Sequence, residues 1–193
     1  MEIKETRKTL NTYCAKHGAI IGGVLILLAF IFYLKNGKLN DPESYAGTAN
    51  TIMLVLGLLF FTKKYRDDNK IGFLNFKKAF KISFIIGFYA AILFSFFIYL
   101  FYKFSPEAMQ QFFLTIQNAY QATGALSGDD IETMLEIAQK LMTPGYVAFT
   151  TLFGVTIEIS IFSLIIAFFM SRNSLQRKKE TSAFDRDMSD LNN

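Results

Sequence analysis

Glu158 is the one acidic residue of this chain that stands inside a long apolar run, Gly145 to Met170. An ionised carboxylate in hydrocarbon is disfavoured by several kcal/mol unless a cation or a set of hydrogen-bond donors meets it. No Lys, Arg or His falls within any of the apolar runs. The expected ground state is therefore a protonated, neutral acid. It could donate a hydrogen bond to a polar residue one turn away, or ionise when a proton, a sodium ion or a cationic substrate arrives. Counting from the basic ends of the runs, Glu158 is twelve residues from Met170, Asn50 twelve from Thr62 and Ser95 thirteen from Ile82. Glu158, Asn50 and Ser95 are thus the candidate intramembrane polar site, expected within a turn of one depth.

Other chemistry is poorly supplied. The chain has one His, His17, and one Cys, Cys14, and lacks a G-x-S-x-G elbow, an H-E-x-x-H helix, Cys/His metal spacing and a phosphate-binding glycine loop. No catalytic residue, cofactor or metal site is expected, and the protein is read as a non-enzyme. One cysteine can form no intrachain disulfide. The net charge of +4 comes with no nucleic-acid motif. Its basic residues flank the apolar runs, so no nucleic-acid partner is expected and the lipid bilayer is.

The elements that must position these residues are four apolar blocks, 18–34, 45–62, 82–102 and 145–170. A helix needs about 20 residues to cross a bilayer core, and in lipid the backbone must satisfy its own hydrogen bonds. The predicted class is all-α: an integral membrane four-helix bundle over residues 1–172, followed by a charged tail, 173–193. A cleaved signal peptide is rejected, because the first run ends in Phe32-Tyr33-Leu34-Lys35 with no small-x-small site. Sixteen of the 20 basic residues lie before the first block, between the second and third, or after the fourth. Retention of positive charge inside then predicts both termini in the cytoplasm.

Several faces suggest how the helices meet. Gly18 and Gly22 form a G-x-x-x-G pair, and Ser83, Gly87, Ala91 and Ser95 recur every four residues on the third block. Such faces let helices approach closely in lipid. On the fourth block Thr156, Ser160, Ser163 and Ala167 cluster on one side and Glu158 lies almost opposite. Either the acid faces the bundle and the small stripe makes an oligomer contact, or the reverse. Ahead of the third block, Phe73, Phe76, Phe80 and Phe84 form an aromatic face beside Lys77, Lys78 and Lys81. That pattern suits a helix in the inner headgroup region, its lysines acting as charge anchors or as lipid-headgroup contacts.

Residues 1–16 suggest a short surface helix. The stretch 105–142 reads as an acidic, extracytoplasmic helical hairpin between spans three and four. Its first helix starts at Ser105-Pro106 and ends at Gly124, and its second carries Ile131, Met134, Leu135, Ala138, Leu141 and Met142. The hairpin could cap the bundle, lie on the outer leaflet, form a lid or dock a partner. The tail after Met170 is charged, and a solvated, mobile segment is expected.

The middle loop also carries a resemblance. Phe60-Phe61-Thr62-Lys63-Lys64-Tyr65-Arg66, Ile71-Gly72-Phe73 and Phe76-Lys77-Lys78-Ala79-Phe80-Lys81, ahead of a Gly87-bearing span, resemble the bacterial family called domain of unknown function 4199. The resemblance implies a four-span protein of the bacterial cytoplasmic (inner) membrane with no assigned activity. Two readings of function remain. One is a structural or accessory component acting through helix packing with itself or with a membrane protein partner. The other is a small proton- or cation-coupled transporter or channel using Glu158.

Overall fold

The computed structural model describes residues 2–37, 39, 45–69, 74–123 and 128–191. Among these are six helices and no strand: α1 Glu2–Asn36, α2 Ala46–Asp68, α3 Phe76–Phe104, α4 Pro106–Thr123, α5 Gly128–Leu141 and α6 Pro144–Leu191. Four of them, α1 from Leu10, α2, α3 and α6 as far as Ser171, are long and apolar enough to cross a bilayer. Ile71, Gly72, Phe73 and Gly124 lie outside the described residues.

Local chemistry sets the helix ends. Gly37 adopts φ +70 and its N–H donates to the Tyr33 carbonyl at 2.7 Å, closing α1 through a left-handed residue that favours glycine. The Asn75 side chain accepts from the Lys78 N–H at 3.0 Å and starts α3. Before α6, the Thr143 hydroxyl oxygen accepts from the Tyr146 N–H at 3.3 Å, and Pro144 takes the first helical position, where its missing N–H costs nothing.

Three expectations about helix extent are corrected. Residues 2–16 do not form a separate surface helix; they are the first turns of α1, continuous with its span. No proline interrupts the junction, and Cys14 is buried in the core with Leu10 and Tyr13 packed beside it. Likewise 76–81 are not a helix set apart from the third span but form the first turns of α3. The tail, expected to be mobile, continues α6 to Leu191. After Gly154 the chain contains neither glycine nor proline, so nothing in its composition stops the helix.

The spans are organised around α3, which packs on α6 and α1 and, less extensively, on α2. Gly18 of α1 lies against Ile86 to Ala90 and Gly22 against Ala90 and Leu93, so α1 and α3 run parallel. Contacts of Tyr13 and His17 with Phe61, and of Ile21 with Gly57, make α2 antiparallel to α1. The N-terminus of α1, the loop between α2 and α3, and the C-terminal half of α6 therefore share one end of the bundle, the terminal end. The hairpin α4–α5 joins α3 to α6 at the other, the hairpin end.

Two apolar cores follow this axis. The larger joins Ile21, Leu25, Leu54, Leu58, Ile82, Ile86, Ile159 and Ile166. The smaller, at the hairpin end, joins Ala29, Ile98, Tyr102, Val147 and Ala148 to Ala108 of α4.

Candidate functional site

The small-residue face of α3 is spent on α6. Ser83 and Ser163 are fully buried and the Ser163 hydroxyl donates to the Ser83 hydroxyl oxygen at 3.1 Å. One turn along, a Cβ added at Gly87 would sit 2.5 Å from Cγ2 of Ile159. Ala91, Ser95 and Ala167 are buried as well. On the flank of the same stripe, the Thr156 and Ser160 hydroxyls donate back to their own helix, to the Leu152 carbonyl at 2.6 Å and the Thr156 carbonyl at 2.7 Å. The centre of the α6 stripe thus lies inside this chain's own bundle, with no room for a second copy at Ser163 or Ala167.

The G-x-x-x-G pair is equally internal. A Cβ at Gly18 would stand 2.5 Å from the Ile86 carbonyl oxygen, and one at Gly22 would meet Leu93 at 3.0 Å. Gly57 plays the same part in α2, where a Cβ would come within 2.9 Å of Ile21. The sequence reading passed over it because no second small residue stands four positions away.

Glu158 is half-buried at the seam between α6 and α2. The Thr51 hydroxyl donates to its Oε1 at 2.6 Å, its one hydrogen bond among the described residues. The expected partner, Asn50, is adjacent in sequence but a helix turns by about 100° per residue. Asn50 shares its strip of α2 with Gly57 and Phe61, and both of these meet α1. That strip puts Asn50 level with Leu28 of α1, in a stretch, Gly23 to Ala29, without a polar side chain. Its Oδ1 is buried with no hydrogen-bond partner among the described residues.

Asn50, next to Thr51, is at the depth expected, but Ser95 is not at the depth of Glu158. Since Ser83 meets Ser163 and Gly87 meets Ile159, α3 and α6 are antiparallel, and the same register sets Ser95 opposite Thr151. Seven residues at about 1.5 Å each separate it from Glu158, roughly 10 Å along the axis. Counting from the ends misled because the apolar runs do not start at one level: Ile82 stands beside Leu164, not Met170. The Ser95 hydroxyl and the Thr62 hydroxyl also lack partners among the described residues. The three residues of the proposed polar site are therefore not one constellation. What exists is a Thr51–Glu158 pair, with Asn50 and Ser95 as separate buried polar groups.

At the terminal end Lys77, Lys78 and Lys81 are exposed, while Phe80 and Phe84 pack against the larger core and Phe76 points out. Here the Tyr13 hydroxyl of α1 donates to the Phe61 carbonyl of α2 at 3.0 Å, while the buried His17 holds Nδ1 2.8 Å from the Tyr13 carbonyl oxygen of its own helix. Across the same joint the Tyr13 ring meets Tyr65 edge-on and His17 at a tilt, and the His17 ring meets Phe61. No group of three or more metal-ligating side chains occurs among the described residues.

A hydroxyl–carboxyl pair and a hydroxyl–hydroxyl pair join helices, inside a bundle whose outer surface is Leu, Ile and Phe. These features define a multi-pass helical membrane protein. The chain belongs to the family described as a protein of unknown function, DUF4199, whose profile matches residues 16–172. Neither a curated protein nor a solved structure matches it.

Proposed function

We propose that this chain is a structural or accessory component of the bacterial cytoplasmic membrane that acts through helix packing, with both termini in the cytoplasm, and that it is not an enzyme. The observation that carries the reading is the Thr51–Glu158 bond: the acid meets one neutral hydroxyl across a helix seam, with no basic side chain or second acid bonded to it among the described residues. A hydroxyl donating to a carboxyl oxygen ties α2 to α6, which otherwise share little packing. The orientation rests on the clustering of basic residues at the terminal end. Because the small faces of α1, α3 and α6 are used within the chain, a second copy or a partner protein would meet the remaining surface, which is otherwise covered by lipid.

A proton- or cation-coupled transporter using Glu158 is the second reading. Its support is an ionisable side chain inside a candidate membrane span. Proteoliposomes separate the two. With a pH or sodium gradient imposed, the structural reading expects flux equal to that of empty vesicles, unchanged by Glu158→Gln. Flux in the unaltered protein that disappears in Glu158→Gln would establish the transporter instead.

A further inference from the structure

Helix α5 carries more apolar surface than α4 covers. Ile131 is buried, and Leu135, Ala138 and Met142 continue its strip, half-buried. Helix α5 packs against α4, and Met142, just past its end, packs on the smaller core. Beside the Ile131 strip runs a second apolar strip, Met134, Ile137 and Leu141 at i, i+3 and i+7, and these are 43%, 50% and 63% exposed. The exposure is greatest at Leu141, the end closest in sequence to the membrane. The opposite side is polar: Glu136, Gln139 and Lys140 are exposed, with Glu136 and Lys140 4.0 Å apart.

Chain connectivity decides what can cover this strip. Three residues after Leu141, Pro144 opens α6, a candidate membrane span whose first turns expose Tyr146, Phe149 and Phe153. A link that short holds the last turn of α5 at the level where α6 enters hydrocarbon. The Met134–Ile137–Leu141 strip thus ends, at Leu141, a few residues from the exposed apolar start of the candidate span. An apolar strip bounded by charged residues and tethered at this depth is the pattern of a helix lying in the interface plane.

We propose that α5 is an interfacial helix, with Met134, Ile137 and Leu141 sunk among the acyl chains of the leaflet at the hairpin end. The hairpin then grips the membrane itself as well as closing the end of the bundle through Ala108 and Phe112 of α4.

The chain contains no tryptophan, so a single introduced indole reports its own surroundings. Met134→Trp, Ile137→Trp, Leu141→Trp and Gln139→Trp, each in the full chain, would be placed in nanodiscs of phosphatidylcholine and phosphatidylglycerol, with and without dibrominated acyl chains. The first three should emit to the blue of Gln139→Trp and lose emission to the brominated lipid, while Gln139→Trp should do neither. Red-shifted, unquenched emission at all three would put the strip in water and overturn the proposal. Blue-shifted emission indifferent to bromine would mean that protein, a second copy or another segment, covers it, and would overturn it equally. A reading independent of any substitution is peroxide oxidation of Met134 in the unaltered protein, followed by mass spectrometry. Protection in nanodiscs that is lost on unfolding is expected, and oxidation as fast as in the unfolded chain would count against the interfacial placement.

Discussion

Thr51 and Glu158 come from helices that are neighbours in space and far apart in sequence, and their hydrogen bond is the chief polar link between α2 and α6. Removing either partner leaves the other in an apolar seam, so the cost should be shared rather than additive. In nanodiscs, Thr51→Val and Glu158→Leu should each lower thermal stability, and the double variant should lose less than their sum, with a coupling of about 1 kcal/mol, the scale of interhelical hydrogen bonds in membranes. Strict additivity would mean that the bond contributes nothing. That a lone acid would mark this seam was legible from its place in the apolar run. Its partner was not, because the choice between Asn50 and Thr51 depends on which strip of α2 faces α1. Nothing in an apolar sequence ranks its neighbours.

At the scale of elements, the close crossings are the testable feature. Gly18 sits against the backbone of α3, with the Ile86 carbonyl oxygen 2.5 Å from where a Cβ would be. Gly23 meets nothing within 4 Å, although it lies in the same helix and in the same kind of sequence. Gly18→Ala should therefore destabilise the bundle by about 1–3 kcal/mol, since α1 must move away from α3 to make room. Gly23→Ala should be neutral or stabilising by up to about 1 kcal/mol through helix propensity. Melting curves of the two variants in one lipid suffice, and equal losses would refute the crossing. The four candidate spans and the existence of α4 and α5 were readable from apolar runs, from the Pro106 and Pro144 starts and from helical spacing. The length of α1 before its span and of α6 after it was not. Polar helix has no hydrophobic period to announce it, and what extends these helices is packing around Cys14 in one case and the lack of a breaker in the other.

For the molecule as a whole, the central place of α3 decides most of what the sequence left open. Whether Glu158 or the Thr156–Ala167 stripe faced inward had been posed as a choice. Both are covered by the chain itself, because α6 sits between α3 on one side and the edge of α2 on the other. The depth estimate held for Asn50 and failed for Ser95: four spans of unequal length do not share a common zero, and only a contact such as Ser83–Ser163 supplies the offset.

That serine contact also has a consequence in time. Synthesis delivers α1, α2 and α3 first, and the Tyr13–Phe61 bond together with the Gly18 crossing can form among these three. The other face of α3, with Ser83 and Gly87, has nothing to close on until α6 emerges last, beyond a hairpin that must first be made. During that interval a nascent chain holds a groove of small residues and an unanswered hydroxyl toward lipid, which is what membrane chaperones and quality-control proteases recognise as unfinished. A chain ended after Met142 should accordingly insert its first three spans yet turn over faster in cells than the full-length protein, as a pulse-chase would measure. An equal half-life would mean that the groove closes without its last helix.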